Sequence, residues 1–536
     1  MHWTSLIGAG LSASLSSRRR LLSDVAHWKE HTARIQLAQL RGLLRSASKT
    51  EIGRQHAFAK LAELPEGDLV SAYRAEIPLA DWYQYRTQIA RMREEAEPDV
   101  LWPGVVRDFA QTSGTTAGDK FIPVSEEMLS SNRKASFDIF AHMTRFGLPL
   151  TKVLGGKSLF LGGSSDLTTS DKGIRTGDLS GIVTRLIFWP VSEIYLPGRK
   201  IALMSHWPSK LDAMAELCVD QDVRMISGVP SWALVLFEKM IALARSRGRK
   251  ADHLRDVWPN FQIFVHGGVK YTPFEQRVKD IWSGGGTDIP HRLELYPASE
   301  GFVAMQDIRG DPGLRLCADG GIFFEFVPLE DIDKPDAPAF TCETVEKGQK
   351  YVVCLSTCAG LWRYILGDVV VFENIPSALN GTGGDGPCRM RIVGRHRHFM
   401  NAFGENLIGE HIENAVVAAA SATGVRVGEF TAAPVYPGEG RRAGLELVVE
   451  VDSGASPDWQ PRFAQAFDDS LKSQNVDYTT KRTDGVGMVA PTITPVRPGT
   501  FHVWMASRGK VGGQHKCPRC ANGRDFVEGV IAAAGV

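Results

Sequence analysis

The sequence predicts an α/β protein: a large N-terminal domain with mostly parallel sheets plus a small β-barrel-like part, and a smaller α+β C-terminal domain. Three observations carry this. Apolar runs that break at glycine and feed a helix recur at 157–163, 226–232 and 261–268, the pattern of buried parallel strands. From Gly320 to Val371 the pattern changes to short alternating strands, which suits a curled antiparallel sheet. Beyond Arg395 a helix over 410–420, a strand over 445–451 and a helix over 461–471 form a small separate set, so a boundary is expected between 1–394 and 395–536.

In chain order, residues 20–60 read as helix, with Leu37, Leu40, Leu43 and Leu44 on one face. Leu101-Trp-Pro-Gly104 interrupts the chain before a Ser/Thr/Gly loop, and Ser125 then caps a helix through Phe140 with Glu126 and Glu127 in its first turn. The 226–232 run leads into a helix over 233–244. Asn380-Gly-Thr-Gly-Gly-Asp-Gly386 reads as a surface loop. No repeat of 20–50 residues and no low-complexity tract is visible.

At 536 residues the chain exceeds one core, and its 61 basic residues balance 61 acidic ones, so no global field points to nucleic acid or an anionic membrane. No apolar run approaches the ~18 residues of a spanning helix. Arg18, Arg19 and Arg20 follow the apolar part of the N-terminus, the reverse of a secretory signal. The eight cysteines are scattered, as reduced thiols in a cytosol would be, which gives an expected cytoplasmic location and, with the balanced charge, a monomer. Cys517-Pro-Arg-Cys520 is a CxxC that could be half a zinc site or a redox pair, but no further ligands lie nearby at matching spacing.

Four motifs carry chemistry. Gln111-Thr-Ser-Gly-Thr-Thr-Ala-Gly-Asp-Lys120 offers backbone N–H groups freed by glycine, hydroxyls and a lysine to a polyphosphate, although its spacing is not the P-loop pattern. An ordinary surface turn has the same composition. In Leu295-Tyr-Pro-Ala-Ser-Glu-Gly301, Tyr296 offers a flat face to a base and Glu300 an oxygen to Mg²⁺, against the alternative of a core tyrosine beside a glycine turn. In Gly360-Leu-Trp-Arg-Tyr-Ile-Leu-Gly-Asp-Val369, Asp368 can accept from both ribose hydroxyls or cap a turn. Near the C-terminus, Lys516 lies among glycines in Gly513-Gln-His-Lys-Cys-Pro-Arg519, where a solvated surface lysine is the alternative.

Together and in this order the motifs resemble those of the acyl-acid-amido synthetase (Gretchen Hagen, auxin-responsive) family, known for plant hormone conjugation, within the adenylate-forming superfamily of acyl-CoA synthetases and luciferases. The family's Ser-Ser-Gly-Thr-Thr/Ser loop with a following Lys-Phe-Ile-Pro is similar to Thr112–Thr116 and Lys120–Pro123. Its Tyr-x-x-Ser-Glu-Gly turn matches Tyr296, Ser299, Glu300 and Gly301, and its Arg-Tyr-x-Leu-Gly-Asp motif runs from Arg363 to Asp368. Its C-terminal Gly-Thr-Phe and Gln-Tyr-Lys-x-Pro-Arg resemble 499–501 and 514–519, and its Thr-x-x-Gly-Arg-x-His leader resembles 50–56.

The resemblance implies an ATP-dependent ligase that activates a carboxylic acid as an acyl-adenylate and passes the acyl group to an amino acid. It implies that Thr112, Ser113, Gly114, Thr115 and Thr116 hold phosphate oxygens, with Thr115 catalytic, and that Glu300 binds Mg²⁺. Tyr296 and Ser299 would line the nucleotide pocket, with Asp368 on the ribose and Arg395 at a hinge between rotating domains. Lys516 would enter from the small domain to neutralise charge on the transferring phosphate. Trp189, Val229 and Trp232 lie where family members hold the acid, with plain core packing as the alternative for the tryptophans. The chain departs from the family at Asn406, which aligns where many members carry lysine; either Lys516 alone carries that charge, or the alignment is displaced by one or two residues. An acyl-CoA ligase and a non-catalytic nucleotide-binding regulator share these motifs and stay open at this level.

Overall fold

A computed structural model describes residues 4–112, 120–162, 167–183, 191–204, 206–268, 271, 274–396, 399–405, 407–438, 442–451, 458–485, 487–508 and 517–535. Its core element is an eleven-stranded mixed sheet. One half is parallel: Tyr195–Leu196, Lys157–Leu161, Val223–Gly228, Ile263–Gly267 and Arg292–Ala298 lie side by side. The apolar runs with glycine ends are therefore buried parallel strands, covered by helices such as Pro230–Ser246, whose first turn starts at the favourable Pro230.

From Arg292–Ala298 the sheet continues antiparallel through Gly301–Gln306, Leu314–Leu316, Arg389–Arg395, Tyr364–Asn374, Lys350–Thr357 and Ile322–Pro328. The part expected to be small and β-barrel-like thus extends the large sheet, and among the described residues no ladder closes it into a barrel. It curls strongly nonetheless. Tyr296 and Asp368 lie on strands four places apart in the sheet, ~19 Å apart if it were flat, yet their side chains are hydrogen-bonded at 2.6 Å.

A second sheet holds Lys120–Val124, Asp108–Thr112, Arg175–Gly177 and Thr168–Thr169. Its first two strands pair antiparallel, with Thr112 opposite Lys120, so they form the stem of the Ser/Thr/Gly loop, whose residues 113–119 lie outside those described. Arg175 grips the buried Asp108 through two hydrogen bonds of 2.7 Å, which anchors that stem to its parallel neighbour.

The N-terminal helix expected over 20–60 is several helices, Ser16–Ser23, Val25–Ala47, Glu51–Gln55 and Phe58–Ala62. Short polar side chains make the breaks: Asp24 accepts from the His27 N–H, and Thr50 accepts from the Gly53 N–H, each starting a new helix. Leu37, Leu40, Leu43 and Leu44 all face the core. Gln36 docks this helix on the sheet by donating to the carbonyls of Ala318 and Ile322 and accepting from the Phe324 N–H. The helix begun by Ser125, which accepts from the Met128 N–H, runs through Glu126–Arg145.

After Arg395 comes a three-stranded sheet, with Val427–Val435 antiparallel and Thr492–Val496 parallel to Gly444–Val451, flanked by helices Gly409–Thr423 and Trp459–Gln474. Its apolar side merges with that of the parallel half-sheet, where Phe274 meets Phe403 and Tyr436 edge-on. No helix among the described residues is long and apolar enough to cross a membrane. Cys517 and Cys520 are buried thiols raised by that burial, and no described cluster of His, Cys, Asp or Glu could hold a metal.

Arg363, in the Arg-Tyr-x-Leu-Gly-Asp motif, is structural. It is buried with φ +44°, and its guanidinium binds Glu325 at 2.9 Å and the Ile77 carbonyl at 2.7 Å while Arg74 takes the other Glu325 oxygen at 2.8 Å. These bonds hold a left-handed backbone that an arginine rarely adopts. Replacing Arg363 by alanine leaves the buried Glu325 with one partner, and we expect urea unfolding to report a loss of about 3–5 kcal/mol.

Candidate active site

The site is built at the carboxyl ends of the parallel strands Val223–Gly228, Ile263–Gly267 and Arg292–Ala298. The hairpin turn Ser299-Glu300 links Ala298 to its partner Gly301. Gly301 has φ +151°, and a Cβ there would stand 2.3 Å from Ile322 Cδ1, so the family turn ends in glycine for want of space. Gly367 has φ +92° beside the His396 ring and sets up Asp368, whose cross-strand partner is Arg395. Toward Arg395 the sheet opens, because Leu314–Leu316 pairs with Arg389 and Met390 at the other end of that strand.

Into this opening project the motif side chains. The Tyr296 hydroxyl donates to Asp368 Oδ2 at 2.6 Å, and Arg395 Nε donates to Oδ1 at 2.5 Å. Each carboxylate oxygen keeps a further lone pair, so the protein bonds orient Asp368 without saturating it. Tyr296 is only 4% exposed; its ring face is covered, and its hydroxyl is what it contributes. Burial pushes its phenol well up, reinforced by the Asp368 carboxylate, so it stays a donor.

Glu300 adjoins this pair. Burial raises its carboxyl above the usual range, while Arg395 and Lys120 act in the opposite sense to favour the ionised form. Beside it stands Tyr364, its phenol pushed well up by burial and then by Glu300. Lys120 also lies 5.9 Å from the Tyr83 ring. One carboxylate cannot build a protein cage for Mg²⁺, but that ion commonly takes one or two carboxylates, with water and substrate phosphates as its remaining ligands, and Glu300 fits this pattern.

Of the expected residues, Thr112, Tyr296, Ser299, Glu300, Asp368, Arg395, Val229 and Trp232 are described, and Glu300 joins Tyr296, Asp368 and Arg395 at one place. Ser113, Gly114, Thr115, Thr116, Trp189, Asn406 and Lys516 lie outside the described residues. Val229 and Trp232 sit at the turn into helix Pro230–Ser246; Trp232 Nε1 donates to the Phe403 carbonyl at 2.6 Å. Tyr364 went unremarked in the sequence, although its place between Arg363 and the Gly-Asp pair was a usable signal.

Family models for the GH3 family match in three blocks: its N-terminal domain over residues 21–190, its central domain over 316–379 and its C-terminal domain over 410–525. The chain belongs to the GH3 family. Among relatives of this GH3 chain, an Arabidopsis thaliana protein named probable indole-3-acetic acid-amido synthetase GH3.1 is 23% identical over 522 residues, covering 85% of this chain and 84% of that protein. The Arabidopsis indole-3-acetic acid-amido synthetase GH3.4 is 22% identical over 84% of each chain. Among solved structures, that of the AtGH3.15 acyl acid amido synthetase in complex with 2,4-DB covers 98% of this chain and 96% of its own at 16% identity, with a TM-score of 0.58. A 2-hydroxyisobutyryl-CoA ligase covers 95% and 94% at 13% identity and a TM-score of 0.52. These two share the fold.

Proposed function

We propose that this GH3 chain is an ATP-dependent acyl-acid-amido synthetase, joining a carboxylic acid to the amine of an amino acid with release of AMP and pyrophosphate. A carboxylate resists amine attack because its charge is delocalised and its leaving group would be oxide. Attack of the acid on the α-phosphate gives an acyl-adenylate whose leaving group is AMP. The amine then takes the acyl carbon, AMP departs, and the amine proton is lost.

The observation that carries this reading is the convergence of Lys120, Glu300, Tyr296, Asp368 and Arg395, which come from three separate motifs and the Gly-Arg junction, in one opening of the sheet. Asp368, oriented by Tyr296 and Arg395, accepts from the ribose hydroxyls. The backbone and hydroxyls of 112–116 surround the phosphates, and Lys516 neutralises charge on the phosphate under attack. Glu300 is the residue that would hold Mg²⁺, which would supply charge neutralisation to the phosphates. The wall near Val229 and Trp232 takes the acid, and the part from 395 to 536 moves between the two half-reactions, with Arg395 at its hinge.

Replacing Asp368 by asparagine keeps its shape but removes a charged acceptor, and the apparent KM for ATP should rise roughly tenfold or more with the fold retained by circular dichroism. The function itself is tested by incubating the protein with ATP, Mg²⁺ and a panel of carboxylates, with amino acids or with coenzyme A, and reading products by mass spectrometry. Amide formation is the expected outcome. Thioester alone would identify an acyl-CoA ligase, and nucleotide binding without pyrophosphate release a non-catalytic regulator.

A further inference from the structure

Lys481 is a buried lysine, 2% exposed, on helix Val476–Arg482 in the C-terminal part of the chain. Its ammonium lies 3.7 Å from the centroid of the Trp232 ring and 4.9 Å from that of Trp207, and the two indoles stand 6.4 Å apart at 67°. A desolvated ammonium is attracted by the negative ring faces, and two indoles on neighbouring elements make a cage for it. Trp232 is held a second time from the same side of the molecule, through its bond to the Phe403 carbonyl. Glu405 fixes the Phe403 turn by accepting from the Ala402 and Phe403 N–H groups.

Core packing alone would place a leucine or methionine where Lys481 stands. Instead the side chain brings a charge into a region walled by Trp207 and Trp232, faced by Asp178 and Lys210 from the N-terminal part, by Asp477 on its own helix and by Glu405. Burial first of all lowers its ammonium to about 8, so it carries its charge near neutrality and sheds it in mild alkali. Trp232 itself lies in the first turn of the helix that follows strand Val223–Gly228, at the sheet end where the acid is taken in the proposed function.

We propose that Lys481 is a positioning residue for the acid pocket: clamped between Trp207 and Trp232, it fixes the Trp232 wall and makes acid selection depend on the seating of the C-terminal part. This rests on the proposed function for its kinetic consequence but not for the cage itself. Lys481→Met fills the space without a charge, and Lys481→Arg keeps a charge that does not titrate below pH 10.

With the acid that gives the strongest pyrophosphate release, Lys481→Met should raise the acid KM roughly tenfold with little change in kcat or in the KM for ATP, and Lys481→Arg should restore it. In the wild type the acid KM should climb as pH passes about 8, and this step should vanish in Lys481→Arg. An unchanged acid KM in Lys481→Met, or a pH step that persists in Lys481→Arg and so belongs to Lys210 or another group, overturns the proposal. Should no acid be activated by the wild type, the proposed function fails, and the cage is read separately by tryptophan fluorescence. The Trp232-dependent emission, taken as the difference from Trp232→Phe, should change through pH 8 in the wild type and stay flat in Lys481→Arg. A flat wild-type titration overturns the cage as well.

Discussion

Replacing Lys516 by alanine should lower acid-dependent pyrophosphate release by several hundredfold or more while leaving ATP affinity close to that of the wild type. On the proposed function the phosphate under attack gains negative charge, and a fixed cation there is worth ~3–4 kcal/mol, roughly 10²–10³-fold in rate. Because that charge develops at the reacting phosphate, its loss is felt in kcat and kcat/KM together, and nucleotide binding by the ribose and phosphate contacts persists. Lys516→Arg keeps the charge but not the reach, so partial recovery is expected. Pyrophosphate release and equilibrium ATP binding, measured on the same preparations, check both halves; an unchanged rate would remove Lys516 from its role. Asn406 bears on this expectation: either Lys516 alone carries the charge that many family members share with a lysine there, or the alignment is displaced by one or two residues.

Glu300→Gln should cost roughly 100-fold or more in adenylation, with a weakened response to Mg²⁺ concentration. Glutamine retains the shape of the turn and a carbonyl oxygen, so thermal unfolding should stay near the wild type. The pH dependence follows from the direction of the carboxyl shift. Burial raises the Glu300 carboxyl, so its ionised form is reached at a higher pH than for an ordinary glutamate, and on the proposed function activity should fall on the acid side as it protonates. That acid limb should be missing from the residual activity of Glu300→Gln, and its persistence there would assign it to another group.

Local signals made much of this molecule legible. The parallel strands announced themselves because a strand buried on both faces is nearly all apolar and must break at glycine where the next helix begins, as at Gly228 and Gly267. Two motif glycines were legible because the backbone narrows the choice there: Gly301 at φ +151° and Gly367 at φ +92°. The single helix expected over 20–60 failed at Asp24 and Thr50, where a side-chain oxygen competes for backbone N–H groups and restarts the helix.

What could not be read was long-range. The small β-barrel-like part was expected without its neighbours because alternating strands carry no mark of them, and the register that adds them to the parallel sheet depends on Leu314–Leu316 bridging two hairpins. The Tyr296–Asp368 bond depends on how far the whole sheet curls, which no window of sequence records. Arg363 looked like part of a nucleotide motif, yet its partner Glu325 is a lone acid in an otherwise apolar strand, Ile322–Pro328, and that mismatch was the available sign of a buried ion pair. Trp232 was placed at the acid pocket by the family resemblance alone; that its ring also bears the ammonium of Lys481 follows from the packing of two distant parts of the chain.

The central claim is that the opening around Glu300, Asp368 and Arg395 activates a carboxylate with ATP for transfer to an amino acid amine. Its most direct test is a pyrophosphate-release screen over acids, run with and without amino acids and coupled to mass spectrometry of the products. Acid-dependent pyrophosphate release, with an acyl–amino acid amide appearing when the amine is added, is the predicted result. Pyrophosphate release that requires no acid, or thioester as the sole product when coenzyme A and amino acids compete, would contradict it.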